Sequence, residues 1–477
     1  MTAAGSTPGG LPIAARLAAL VVAGALFMEM LDATIIVTAL PALARSFAVR
    51  PSDLGLGVTG YAVALAAFIP ASGWAADRFG GRRMFIAAIA LFTVASLICA
   101  AATTRPAFVG ARILQGAAAA MMSPVGRLLI LSSVERKDLV RAIAIITWPA
   151  LVAPLLGPVI SGWIVDHASW RWIFILNLPL GIAGIAAALR WLPISPPAAV
   201  PRPLDWIGLS LTALALAALV TGLDMAGRAQ SDPVLWISLL VVAIVSAILT
   251  LVHARRTPHP LLNFAVLKVR TFAVSAATSG AVSRLAINAT PFLLPLMFQE
   301  AFRFSASRAG LMLLVYMAGN LAMKPATTAI LERFGFRDVL VVNALIGAAA
   351  LGVVALAGPV TPEPLLWVAL FVAGLSRSMN FTSTNTLTFA DIEPDQRSDA
   401  TALSGVLQQV TFSLGIAMAA FVLNASLGAR GASTLGLIDF RIAFGLVAGL
   451  LVVSAVGYAV RLPADAGAAL RTSPRLS

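Results

Sequence analysis

About fourteen continuous apolar runs cross this chain, each near the roughly 20 residues that a helix needs to span a bilayer core. They cover, approximately, 17–41, 54–76, 84–102, 107–131, 139–164, 171–192, 205–225, 234–253, 271–299, 308–331, 339–358, 365–388, 400–424 and 439–460. The runs are unbroken rather than alternating, so they predict helices and not a transmembrane barrel. A chain that is 60% hydrophobic and 11% charged, with mean hydropathy +0.94, is no soluble globular protein; such proteins carry about 25% charged residues. The expected fold class is an all-α polytopic membrane protein.

A repeat divides the chain. Asp77-Arg78-Phe79-Gly80-Gly81-Arg82-Arg83 returns, degraded, as Glu332-Arg333-Phe334-Gly335-Phe336-Arg337. Both copies are predicted to lie in a short charged loop at the same membrane face, which implies two similar halves. Two runs near 205–253 have no counterpart in the repeat and are bracketed by the longest connections, Pro193–Pro203 and Arg255–Arg270. The predicted organisation is an N-terminal six-helix bundle (1–192), a linker with two extra spans (193–269), a C-terminal six-helix bundle (270–462) and a tail (463–477). No connection exceeds about 18 residues, so no soluble domain is expected.

The formal net charge of +13 raises the question of nucleic acid, and the placement of charge answers it. Loops on the side of Arg82 hold about nineteen Lys and Arg, including Arg136, Lys137, Arg141, Arg255, Arg256, Lys268 and Arg270, against about nine opposite. That asymmetry predicts both termini and both repeats in the cytoplasm. The first 15 residues lack a cleavable signal, so the first run is expected to act as an uncleaved anchor. Cys99 is the sole cysteine, and His167, His253 and His259 are scattered; no disulfide, metal site or cofactor is expected.

Ionisable groups inside the membrane each need a reason, because a charge at mid-bilayer costs roughly 2.5–3.5 kcal/mol on insertion scales. The first run carries Glu29 and Asp32, three apart and therefore on one helical face. Burial and mutual repulsion disfavour ionising both, which is the behaviour that proton coupling requires. The structural alternative is a hydrogen-bonded polar pair that only packs the helix. Arg112, in the fourth run, is the expected counter-ion. Arg284, Lys324 and Arg377 lie in later runs with no acid at comparable depth, a pattern that favours an anionic substrate unless Lys324 snorkels to the headgroups. Candidate cavity residues are Trp148, Arg284, Asn288, Phe292, Asn380, Asn385, Gln408 and Gln409. Helix-to-helix bonding and packing are the competing roles for their amides and rings.

These segments resemble the major facilitator superfamily, in its fourteen-helix drug:proton antiporter branch, over nearly the whole chain. Gly73-Trp-Ala-Ala-Asp77-Arg78-Phe-Gly80-Gly81-Arg82-Arg83 is similar to its specific loop signature, and Arg112-Ile-Leu-Gln115-Gly116 to the motif whose arginine takes part in proton transfer. Leu31-Asp32-Ala-Thr34 through Pro41 resembles the branch motif with the coupling aspartate. Gly157-Pro158-Val-Ile-Ser161-Gly162 resembles the antiporter motif, with Ala153 and Ser161 where glycine is usual. Trp170-Arg171-Trp172-Ile-Phe174-Ile-Leu-Asn177 also fits the branch. Segments 71–74, 121–127 and 309–312 narrow the resemblance to one group of multidrug exporters. The resemblance implies a major facilitator fold of two six-helix bundles working by alternating access, driven by the proton gradient. It also implies a latch in which Asp77 faces the start of the thirteenth run near Asp399.

The expected function is therefore proton-coupled export of small amphipathic or anionic molecules across a bacterial cytoplasmic membrane. The partners are a small-molecule substrate, protons and the bilayer, with no nucleic acid; a monomer is expected and a periplasmic adaptor is not indicated. Rival readings are an uncoupled or lipid-directed transporter on the same fold, a membrane enzyme and a non-transporting sensor. The enzyme would need catalytic residues grouped near one interface, and the sequence offers none.

Overall fold

The computed structural model describes residues 11–47, 51–134, 138–194, 203–226, 232–304, 306–432 and 434–468. Arg136, Lys137, much of the proline-rich connection and residues 469–477 of the tail lie outside them, as do the side chains of Trp148 and Pro158. Among the described residues there are helices and no strands. Eleven helices among the described residues are long and apolar enough to cross a membrane, or twelve if one bent pair counts as a span. The other two predicted runs are helical as well: 139–164 forms one long helix, and 308–331 is split in two.

In chain order the helices are α1 (Ile13–Ser46), α2 (Pro51–Phe68), α3 (Ala71–Phe79), α4 (Gly81–Ala101), α5 (Arg105–Ser133), α6 (Leu139–His167), the single turn α7 (Trp172–Ile175) and α8 (Asn177–Trp191). The extra pair follows as α9 (Trp206–Ala226) and α10 (Pro233–Arg256). Then come the short turn α11 (Arg270–Phe272), α12 (Ser279–Leu296), α13 (Ala306–Ala322), α14 (Lys324–Phe334), α15 (Phe336–Leu356), α16 (Glu363–Thr388), α17 (Arg397–Ala429) and α18 (Leu437–Arg461). One compact unit comprises Met1–Thr221, Val241–Asn263 and Glu393–Val406, and a second comprises Gly222–Leu240, Phe264–Ile392 and Leu407–Ser477. Outward faces stay apolar, as at Val94, Leu97 and Ile98 of α4 and Ile244, Val245 and Ile248 of α10. Lipid tails solvate such faces as well as another leucine would.

The repeat is built differently from the predicted loop. In each copy a helix ends at a glycine with positive φ and the next helix starts at once: Gly80 (φ 86°) between α3 and α4, Gly335 (φ 78°) between α14 and α15. Each glycine N–H donates back to the helix it closes, Gly80 to Ala76 O at 2.9 Å and Gly335 to Leu331 O at 3.0 Å. Only glycine enters that region without a side-chain clash. Ten residues upstream of each glycine stands a proline, Pro70 and Pro325, and there the incoming span breaks. The predicted run 54–76 bends by 61° between 57–68 and 71–79, and 308–331 divides at Met323. Proline lacks the N–H that would carry the helix through. The charged string thus sits on helix ends, with one residue of turn.

Each copy is also tied down within its own unit. Arg82 donates to Leu189 O near the end of α8, and Arg337 Nη2 donates to Ala459 O near the end of α18 at 2.7 Å. At α9, Asp205 caps the first turn by accepting from Gly208 N at 2.8 Å. The same carboxylate meets His253 Nε2 of α10 at 2.8 Å and accepts from Leu261 N at 3.1 Å.

Candidate functional site

Asp32 lies on the buried side of α1, 1% exposed, inside the first unit. Arg112 of α5, also 1% exposed, donates from Nη1 to Asp32 Oδ2 at 2.6 Å. The other carboxylate oxygen accepts from Gln115 Nε2 at 2.9 Å and Asn177 Nδ2 at 2.8 Å. Gln115 closes the ring by accepting from Arg112 Nη1 at 2.5 Å, and both amides reach Ser96 Oγ of α4, at 2.7 and 3.2 Å. Above them the Arg112 guanidinium stacks 4.4 Å from the Tyr61 ring centre.

Local sequence sets this geometry. Arg112 and Gln115, one turn apart, share a face of α5. Gly116 lets α5 press against α2, since a Cβ there would stand 2.3 Å from Tyr61 O. Trp170 and Phe174 are buried against Phe108 in edge-on contacts and anchor the segment that delivers Asn177. Gly157 lets α6 approach α1 beside Asp32; its Cβ would be 2.4 Å from Thr34 Oγ1.

Glu29 is buried as well, 2% exposed, but it stands outside the ring. Its Oε2 has no hydrogen-bond partner, and its electrostatic neighbours are Arg127 and Asp32. Gly162 meets no atom within 4 Å of a Cβ position, so close packing rests on Gly157 and not on Gly162. The signature segment reaches the start of α17: a Cβ on Gly73 would lie 2.9 Å from Ser398 Oγ. Asp77, Arg78 and Asp399 line one small depression with Asp205 and His259, and Asn263 Nδ2 donates to Asp399 at 2.9 Å. Arg82 is half-buried and Arg83 is exposed. Burial acts to raise the Asp205 carboxyl, but the N–H groups of Gly208 and Leu261 and the His253 ring outweigh it and hold that carboxyl below its ordinary range.

The second unit carries the later cations. Arg284 of α12 is 3% exposed and donates from Nη1 to Ala276 O at 3.2 Å. Lys324 does not snorkel: it is 7% exposed and donates to Thr382 Oγ1 at 2.8 Å. Arg377 donates to Ile287 O at 3.0 Å. Asn380 and Asn385 are buried, and Asn380 Oδ1 accepts from Ser283 Oγ at 3.1 Å. Asn288, Phe292, Gln408 and Gln409 are half-buried. Asn380 is thus tied to Ser283, the chain neighbour of Arg284. Among the described residues no His, Cys, Asp and Glu cluster could hold a metal ion.

Sequence reading missed the roles of Tyr61, Ser96, Gln115 and Asn177 around the aspartate. The available signal was the one-turn spacing of Arg112 and Gln115.

Fold and buried ion pair together describe a helical membrane transporter. The sequence profile of the Major Facilitator Superfamily matches residues 22–415 and 276–475, and the chain belongs to that superfamily of transporters. It is similar to proteins provisionally named multidrug resistance protein MdtD. The relative from Klebsiella pneumoniae (strain 342) is 38% identical over 420 residues, 87% of each chain. That from Escherichia coli O157:H7 is 36% identical over 419 residues, again 87% of each. Among solved structures, the human organic anion transporter MFSD10 (TETRAN) aligns with TM-score 0.66 at 15% identity, covering 94% of this chain and 100% of that one. The proton:xylose symporter XylE, bound to 6-bromo-6-deoxy-D-glucose, aligns with TM-score 0.64 at 15% identity, covering 95% and 96%. These two likenesses show the fold. Membership of a transporter family sets the enzyme reading aside.

Proposed function

We propose that the protein is a proton-coupled antiporter that exports small amphipathic or anionic molecules across a bacterial cytoplasmic membrane by alternating access. The observation that carries this reading is the sealed ring around Asp32, in which one carboxylate faces one guanidinium and two amides. Protonating Asp32 removes the charge that Arg112 is held by, and a hydrogen bond to a charged group contributes about 1.5–3 kcal/mol. A proton is then a ligand that binds one conformation better than another. Each charge that crosses 100 mV adds about 2.3 kcal/mol. The name of the MdtD relatives supports a drug-like cargo, and the loop charges support cytoplasmic termini. In this reading the Asp77–Arg83 segment is a cytoplasmic latch on the start of α17, where a helix N-terminus favours an anion. The protein works as a monomer without a cofactor.

Reconstitution in vesicles with an imposed pH gradient tests the reading. The parent protein should move an amphipathic dye against its gradient, Asp32→Asn should lose the response to pH, and Glu29→Gln reports whether the second acid takes part. Equal dye movement by all three, indifferent to the gradient, would favour the uncoupled alternative and end this proposal.

A further inference from the structure

Arg284 is a buried cation of the second unit with an unengaged binding edge. Its Nη1 is anchored to Ala276 O, whereas Nε and Nη2 are buried with no hydrogen-bond partner. Those two nitrogens form the side-on fork of a guanidinium, whose parallel N–H bonds match the two oxygens of a carboxylate. Asn380 Nδ2 is likewise buried and unpartnered. Asn380 is held through Ser283, which also meets the hydroxyl of Tyr458 at 3.2 Å, the electrostatic neighbour of Arg284. Lys324 and Arg377 add positive charge but direct the donors described above to Thr382 Oγ1 and Ile287 O. Among the described residues no carboxylate pairs with any of the three. A buried charge of this kind is strongly unfavourable unless something compensates it.

The anchor itself is irregular. Ala276 belongs to a π-helical turn, Ala273–Ala277, at the head of α12, and Gly280 follows where a Cβ would overlap Ser275 O at 1.7 Å. Broken helices of this sort line binding sites in transporters, and π-turns recur at functional positions.

We propose that the Arg284 fork, with Asn380 Nδ2, grips the carboxylate of an organic monoanion, making carboxylates the substrate class of this protein. The inference rests on the transport reading for its physiological meaning, but the site binds without a gradient. In this conformation the fork is shut in, and the extra residue of the π-turn supplies the slack for α12 to turn and admit the anion.

Binding of radiolabelled benzoate, 1-naphthoate and decanoate to the purified full-length protein, at equilibrium and without a pH gradient, tests it. At least one carboxylate should bind saturably, and its matching carboxamide should bind at least about tenfold more weakly. Arg284→Gln should weaken the carboxylate about tenfold to a hundredfold, the range for losing a charge-assisted hydrogen bond. Arg284→Lys, which keeps the charge and loses the fork, should fall between. Where Arg284→Gln does not fold, the carboxylate-to-carboxamide ratio of the parent and of Arg284→Lys decides. No saturable carboxylate binding, equal binding of the carboxamide, or an unchanged ratio in Arg284→Lys overturns the proposal. The ratio is read on the parent without a gradient, whereas a failure of proton coupling shows as dye movement in vesicles that ignores the gradient, so the two failures leave different traces.

Discussion

Asp32 and Arg112 were legible as partners because each is a charge inside an apolar run, and a charge there must find its opposite. Gln115, Asn177 and Ser96 were not. Amides and hydroxyls in such runs bond to whatever helix is near, and spacing alone does not say which. The ring predicts that neither charge can be removed alone without a large penalty. Arg112→Gln leaves Asp32 with amide donors only, and Asp32→Asn leaves a buried guanidinium without its counter-charge. Either single change should destabilise the protein by about 3–5 kcal/mol, the usual result of breaking a buried pair. The double variant Asp32→Asn/Arg112→Gln removes both charges and should recover part of that loss, read as the melting temperature in detergent. Additive losses would show that the two residues do not depend on each other.

At the scale of elements, hydropathy located every span but not its interruptions. Pro70 and Pro325 sit in apolar surroundings that read as continuous, and the π-turn before α12 has no sequence signature. The two repeat glycines combine positive φ with extended ψ (86°, 130° and 78°, 164°), a region nearly closed to other residues, so Gly80→Ala and Gly335→Ala should each cost about 1–3 kcal/mol. Gly162→Ala, which meets no neighbouring atom, should be nearly neutral in the same melting assay. Gly116→Ala should be severe, and it should weaken pH-driven transport as well, because its Cβ strikes the backbone of Tyr61 beneath Arg112. The Asp205 clasp carries a pH dependence. Its folded carboxyl titrates lower than the unfolded one, so its contribution is complete above the unfolded value of about 4 and fades as pH falls through the folded value. Acid titration of Asp205→Ala against the parent should show the stability gap closing below about pH 4.

Across the whole molecule, the same device serves each half of the repeat: a proline break, a short helix, a glycine corner and an arginine tied to the end of the last helix in that half. Arg82→Ala should raise hydrogen exchange at the start of α4 and the end of α8 while leaving α15 and α18 unchanged, and Arg337→Ala should do the reverse. Exchange that spreads evenly over both halves would show that the ties are not local. A corner braced in this way is a bracket and not a hinge. The glycine supplies the angle, and the arginine fixes the second arm to the last helix of its half. Force applied to the short helix is then passed, as through a bell crank, around the corner to the next helix and on to the end of the last helix of the same half.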